Sequence, residues 1–338
     1  MLNPGLIRVA RFGPWLFLCG LLAACSPPPI VQQQAFVFGT LVELSVLDDD
    51  RARASTAMAS VLARFDELHG QLHAWQPSEL SRLNAALARG RPLAVTPELG
   101  AMLRDAQTLS IHADGLFNPA IGHLIALWGF HSDAIPGRTP EASAILKSVD
   151  AAPRMSDLRF DGDSVSSSNP SVQLDLGGYA KGRALDEAVA ILKSRGIRNA
   201  LVNIGGNVIA LGQHGDRPWR VGIQHPREPG ALATIDLYDG EAIGTSGDYQ
   251  RYFEVDGRRY CHLIDPRTGY PAKDMQSLTI LVSGERAGTR SDALSKPLFI
   301  GGPAALAAQA ATLGVTHYLA VDATGKIYRS PAMQARLR

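Results

Sequence analysis

The stretch "RYFEVDGRRYCHLID", Arg251 to Asp265, decides how the chain is layered. β-prone residues flank Asp256-Gly257, and a two-residue Asp-Gly connection selects a primed turn, whose twist matches that of two antiparallel strands. A regular doubly wound parallel sheet has no use for such a hairpin. Around it lie "VQLDL", "NALVNI", "NVIALG", "WRVGIQ", "ATIDLY" and "EAIGT", short β-prone runs separated by glycine or polar turns. Upstream, "AFVFGTLVELSVLD" alternates like a strand interrupted by Gly39.

Helices are interspersed with these strands. From Arg51 to Trp75, Met58, Val61, Leu62, Phe65, Leu68 and Leu72 recur at helical spacing, until Pro77 and Ser78 break the pattern. Thr96-Pro97-Glu98 is a helix start, with a capping hydroxyl and a first-turn proline, and Thr139-Pro140-Glu141 repeats it. A further helix is expected from Ala180 to Arg195, stopped by Gly196. "PAALAAQAATLG" and "THYLAVDA" give a closing helix and strand. The mixture predicts an α+β fold.

At 338 residues, with 46% hydrophobic and 19% charged residues, the chain is long enough to bury a substantial core. A net charge of +1 provides no concentrated basic face for nucleic acid. The N-terminus reads as an export signal. Arg8 and Arg11 precede the short apolar run "PWLFLCGLLAAC", and Leu22-Ala23-Ala24-Cys25 resembles a lipobox, with cleavage before Cys25 and lipid on its sulfur. An ordinary secretory signal or an uncleaved anchor is the alternative. Residues 1–24 are thus expected to be removed, 25–34 ("CSPPPIVQQQ") to form a flexible linker, and 35–338 to form one domain. Ser26 after the lipidated cysteine favours the outer membrane. With Cys19 removed and Cys25 lipidated, Cys261 stands alone and reads as a small buried hydrophobe.

Four glycine-bearing polar clusters fall where strands should end: "LDLGGYAKG", "VNIGGN", "GTSGDYQRYF" and "HLIDPRTGYP". Taken alone, "LDLGGYAKG" (Leu174 to Gly182) is either a phosphate-holding turn or a plain strand-to-helix turn, since it lacks the G-x-G-x-x-G spacing. Four such clusters exceed what turns require, because turns do not call for Asp, His, Arg and Lys together. A fifth, "SDALSKPLF", sets Asp292 and Lys296 one helical turn apart on the same face.

In this order the clusters resemble the ApbE family of FAD:protein FMN transferases, whose members carry D-L-G-G-x-A-K-G, V-N-I-G-G, T-S-G-D-Y, H-I-I-D-P-x-T-G-x-P and D-A-L-x-T. "FGT" at Phe38 to Thr40, "AWQPSELSRLN" from Ala74 and "DGLFNPAIGHLIALWGF" from Asp114 resemble its first-half elements. The resemblance implies a two-lobed, T-fold-related α/β domain with antiparallel sheets and packed helices. It also implies transfer of FMN from FAD to a threonine or serine of a partner flavoprotein, with AMP leaving. A flavin-storing lipoprotein and a hydrolase splitting FAD into FMN and AMP are the alternatives. Implied partners are flavin-carrying subunits of membrane or periplasmic redox systems.

Carried over by position, Phe38, Trp75, Leu116, Phe117, Asn118, Asp175, Lys181 and Ile264 are expected to contact FAD, Asn118 standing where the family has Asp. His262 is the candidate general base for the acceptor hydroxyl, its ordinary pKa lying near neutrality. Asp248 and Asp265 are candidates to orient it or the ligand, although turns favour Asp at such positions anyway. A family Mg²⁺ would be held by the Gly178 carbonyl, Asp292 and a threonine four residues on. Here that position is Lys296, which has donors and no lone pair. The expectation is that its ammonium pairs with Asp292 and stands where the cation would.

Overall fold

A computed structural model describes residues 30–132 and 137–338; the signal segment, Cys25 and the start of the linker lie outside the described residues. Eight strands form one antiparallel sheet, in the order Ile30–Val37, Thr40–Leu47, Ala200–Ile204, Asn207–Leu211, Ala242–Gly247, Met275–Val282, His317–Asp322 and Ile327–Arg329. The central strands are buried along nearly their whole length because both faces are covered. Ile209, Leu211, Ala242, Leu278 and Ile280 face a helical core, whereas Val208, Ala210, Ile243 and Leu281 face the other side. That second side is closed by the ribbon Trp219–Gln224/Ala231–Leu237 and by Met333 of the last short helix.

Three helices build the first layer. Arg51–Leu72 packs on Gly177–Ser194, which packs on Ala287–Thr312, a helical run broken at Gly302, and the last lies against strands Ala242–Gly247 and Met275–Val282. The crossing of the second and third is unusually close. A Cβ on Gly182 would come within 2.4 Å of the Gly288 carbonyl oxygen and 2.6 Å of the Asp292 Cβ, so only glycine fits there. Asp186 fixes the register by accepting the Gly288 and Thr289 N–H groups, each at 2.8 Å, and so capping the start of the long helix from its neighbour.

A separate aromatic cluster gathers Trp128, Phe130, Phe253 and Ile264 with Ile121, Leu124 and Ile145. The hairpin Tyr252–Val255/Arg258–Cys261 forms as its turn chemistry requires, with φ of 51° at Asp256 and 71° at Gly257. Trp128 is fully buried and donates its indole N–H to the Gly269 carbonyl at 2.8 Å, tying "LWGF" to "DPRTGYP". Cys261 is buried, and burial pushes its thiol up to about 12.

Several expectations need correction. Residues 30–34 are not linker, because Ile30–Val37 pairs in full with Thr40–Leu47. Gly39 does not interrupt a strand but forms, with Phe38, the tight turn between two, both with positive φ (55° and 69°). "VQLDL" is no strand; Gln173 makes only an isolated parallel bridge to Ile121. The glycine pair is not a turn before a helix but its first residues, since the helix begins at Gly177. Thr139 caps nothing: that helix runs Ala142–Asp150 without a side-chain cap. The first helix stops at Leu72 rather than Trp75, the His73 backbone turning to extended geometry.

Candidate active site

The helical layer and the aromatic cluster leave a cleft between them. Its polar lining comes from Asp175, Lys181, Thr245, Gln250, His262 and Lys296, and its apolar lining from Leu116, Phe117, Ile121, Ile125, Ile264 and Ile300.

One wall is the start of the glycine helix. Asp175 accepts the Gly177 N–H at 2.8 Å. That bond and the Trp75 side chain favour its charged form, yet burial outweighs them and raises its pKa. Lys181, one turn in, makes no side-chain hydrogen bond or salt bridge among the described residues, and it lines the cleft. A cation near a helix N-terminus opposes the macrodipole. Burial lowers the Lys181 pKa; Asp292 opposes that shift, and Lys296 and Arg251 add to it.

The facing wall comes from the long helix. Asp292 is 0% exposed, and one carboxylate oxygen accepts the Gly182 N–H at 2.9 Å, across the glycine crossing. The other is ion-paired with Lys296, whose ammonium also donates to the Asp292 backbone carbonyl at 2.8 Å. The Lys296 side chain lies along Gly178, its Cε 3.1 Å from where a Cβ would stand. Ser246 and Ser295 are bonded at 2.8 Å, which joins the strand end at Ala242–Gly247 to this helix.

His262 closes the site from the aromatic side. Its Nδ1 lies 3.3 Å from the Arg251 carbonyl. A carbonyl can only accept, so this contact assigns the proton to Nδ1 and leaves Nε2 as the basic nitrogen. Burial, then the Lys181 charge, with lesser contributions from Arg251 and Lys296, push its pKa down to about 3. The ring is therefore neutral across the physiological range.

The other expected site residues are distributed as follows. Leu116, Phe117 and Ile264 are buried side chains on the cleft wall. Asn118 lines the cleft, but its amide holds its own loop, donating to Pro153 O at 2.9 Å and accepting from Ala120 N at 3.1 Å. Trp75 stands beside Asp175 and 5.3 Å from the His131 ring, on a loop whose Trp75 and Gln76 N–H groups are held by His73 Nδ1. Phe38 is not brought to the cleft; its ring packs on Phe65 and His69, at 5.9 and 5.5 Å. Asp248 is bound by both Arg227 amino groups, at 2.8 and 2.6 Å, and Asp265 pairs with Arg267 at 2.7 Å, so each carboxylate is engaged away from His262.

Sequence reasoning missed Arg251. Its charge lies behind the cleft lining and acts on Asp175, Lys181 and His262 as a lesser influence. It also ties the hairpin to the Phe130 and Ser132 carbonyls, each at 3.1 Å. It stood in the quoted "GTSGDYQRYF", but an arginine opening a strand carries no signal of its own. Asp186 was missed likewise, because capping a neighbouring helix has no local signature.

A divalent cation at Asp292 does not fit these residues. Mg²⁺ demands near-octahedral oxygen coordination. Here the one carboxylate is engaged at both oxygens, and an ammonium occupies the next position on the helix face. No group of three or more His, Cys, Asp or Glu side chains able to hold a metal occurs among the described residues.

The family described as ApbE family matches residues 38–319. A FAD:protein FMN transferase of Rhodobacter capsulatus is 43% identical over 318 residues, covering 94% of this chain but 60% of that protein, so the chain spans under two thirds of this relative's length. One from Klebsiella pneumoniae is 32% identical, covering 81% of each chain. The crystal structure of the ApbE protein of Thermotoga maritima superposes with a TM-score of 0.84 at 31% identity, covering 92% of this chain and 100% of that one. The apo flavinyl transferase ApbE of Pseudomonas stutzeri gives 0.80 at 28% identity, with coverage of 92% and 98%. Matched by the family model over residues 38–319 and 43% and 32% identical to relatives along most of its length, this chain belongs to the ApbE family.

Proposed function

We propose that the protein transfers the FMN moiety of FAD to a serine or threonine hydroxyl of a partner flavoprotein. The observation that carries this reading is Lys181, a lysine that lines the cleft near a helix N-terminus without a salt bridge, where an anionic ligand would favour its charged form. Arg251 and Lys296 add positive charge around the same space, and the apolar wall offers a surface for a flat ring. Phosphoryl transfer asks chiefly for positioning and neutralisation of phosphate oxygens, which this set supplies.

In the reaction, the acceptor hydroxyl oxygen forms a bond to the FMN-side phosphorus. The bond from that phosphorus to the bridging oxygen breaks, and the bridging oxygen leaves on AMP. His262, neutral and with Nε2 bare, receives the hydroxyl proton and releases it to the departing AMP phosphate or to water. Its base strength is low in the ligand-free site. A bound diphosphate offsets the lysine and arginine charges, and so raises the pKa of the ring toward a useful value.

The N-terminal signal supports export, lipid attachment at Cys25 and a membrane-tethered position facing the periplasm, with Ser26 favouring the outer membrane. From there the acceptor is a flavin-carrying subunit of a membrane or periplasmic redox system. Cys25→Ala should release the protein from the membrane fraction. The decisive test of the activity is incubation with FAD and a threonine-bearing acceptor peptide, followed by intact-mass analysis. A peptide heavier by one FMN less a water, with AMP formed in equal amount, is expected; AMP without adduct makes the protein a hydrolase, and bound, unchanged FAD a carrier.

A further inference from the structure

We infer that Lys296 takes the place of a divalent cation in this chain, so that FAD binding and FMN transfer proceed without Mg²⁺. The inference rests on the flavin-transferase reading of the same cleft and specifies how that cleft handles the diphosphate.

Three observations carry it. The first is how the ammonium is held. It is ion-paired with the fully buried Asp292 carboxylate and donates to the Asp292 carbonyl at 2.8 Å, while Gly178 packs against its stem. A lysine is ordinarily a flexible point charge. This one is fixed at both ends, and pre-placed charge is what stabilises a charged transition state.

The second is valence. An ammonium has three N–H donors, of which two go to Asp292. The third is left for an oxygen of a ligand, and Lys296 lines the cleft. The third observation is what stands around it. The remaining Asp292 oxygen is bound to Gly182 N, and the Lys181 side chain lines the same cleft. A divalent ion entering beside the fixed Lys296 ammonium, with no carboxylate to itself, meets repulsion where a metal site needs attraction. Lys181, Lys296 and Arg251 together supply the positive charge for which phosphoryl transfer commonly recruits a metal.

The test is a flavin-fluorescence titration of the full protein with FAD, in EDTA and in excess Mg²⁺, run alongside FMN transfer to the acceptor peptide. The wild type should bind FAD with the same affinity in both buffers, to within about twofold, and transfer should survive EDTA. Lys296→Thr removes the charge and offers an oxygen beside Asp292. It should bind FAD about tenfold more weakly in EDTA and recover in Mg²⁺. Lys296→Arg should stay insensitive to chelation. FAD binding by the wild type that is lost in EDTA and restored by Mg²⁺ overturns the inference while leaving the flavin-transferase reading intact, and needs no variant to fold. Absence of FAD binding in both buffers overturns that reading, and the inference with it.

Discussion

Lys181 and Lys296 face one cleft from two crossing helices, yet they are built in differently. Lys296 is ion-paired with a buried carboxylate, whereas Lys181 has no salt bridge and sits at the helix end that disfavours it. One lysine is thus part of the fold as well as of the site, and the other belongs to the site alone. Their removal should move stability in opposite directions. Ligand affinity, in contrast, should fall for both.

The largest effect is expected on the paired side. Lys296→Met leaves the Asp292 carboxylate buried without its counter-ion, which costs about 3–5 kcal/mol in urea unfolding. Stability unchanged by this substitution would mean that the pair does not hold the helix crossing. Next comes the crossing itself. Gly182→Ala drives a methyl into the Gly288 carbonyl and the Asp292 Cβ, and should destabilise by about 2–3 kcal/mol while weakening FAD binding, because it parts the walls bearing the two lysines.

A smaller effect separates the histidine from both. The folded His262 resists protonation down to about 3, against an ordinary 6.5 in the unfolded chain. Between those values the unfolded state holds a proton that the folded state lacks, so stability falls as pH falls. One such group contributes a slope of up to about 1.4 kcal/mol per pH unit. His262→Gln should lose about 2 kcal/mol less than wild type between pH 7 and pH 5, read from urea midpoints. Identical pH dependence in the two proteins would show that His262 titrates near its ordinary value.

The smallest change in stability, and the most informative sign, belongs to Lys181→Met. Removing a partly buried cation without a salt bridge should raise the melting temperature of the ligand-free protein by a few degrees. The same variant should bind FAD about a hundredfold more weakly by fluorescence titration. Destabilisation with unchanged affinity would assign Lys181 to the fold instead.

The same contrast explains what could be read from the sequence. Asp256-Gly257 announced its hairpin because the turn demands positive φ that few residues accept. Phe38-Gly39 forms an equally tight turn, but phenylalanine in that conformation signals nothing, so two strands read as one. "VQLDL" alternates like a strand, yet Asp175 and Gln173 bond to the Pro119 and Ala120 carbonyls in a loop instead of entering a sheet. In the site, Lys181 and His262 were legible because polar residues clustered with glycines, and Lys296 because it stands four residues after Asp292. The engagement of Asp248 and Asp265 was not, since their arginine partners lie in turns and loops that local sequence does not pair. The i,i+4 spacing of Asp292 and Lys296 predicted their pairing, but the complete burial of the carboxylate depends on a helix more than a hundred residues away in sequence.

The FAD diphosphate is expected to lie between the two lysines, with no ion intervening. A crystal structure of the protein with FAD, grown in EDTA, decides this. Diphosphate oxygens should stand within about 3.2 Å of both the Lys181 and Lys296 Nζ atoms. A diphosphate bound elsewhere, or FAD that enters the crystals only with a metal ion seated on Asp292, would contradict it.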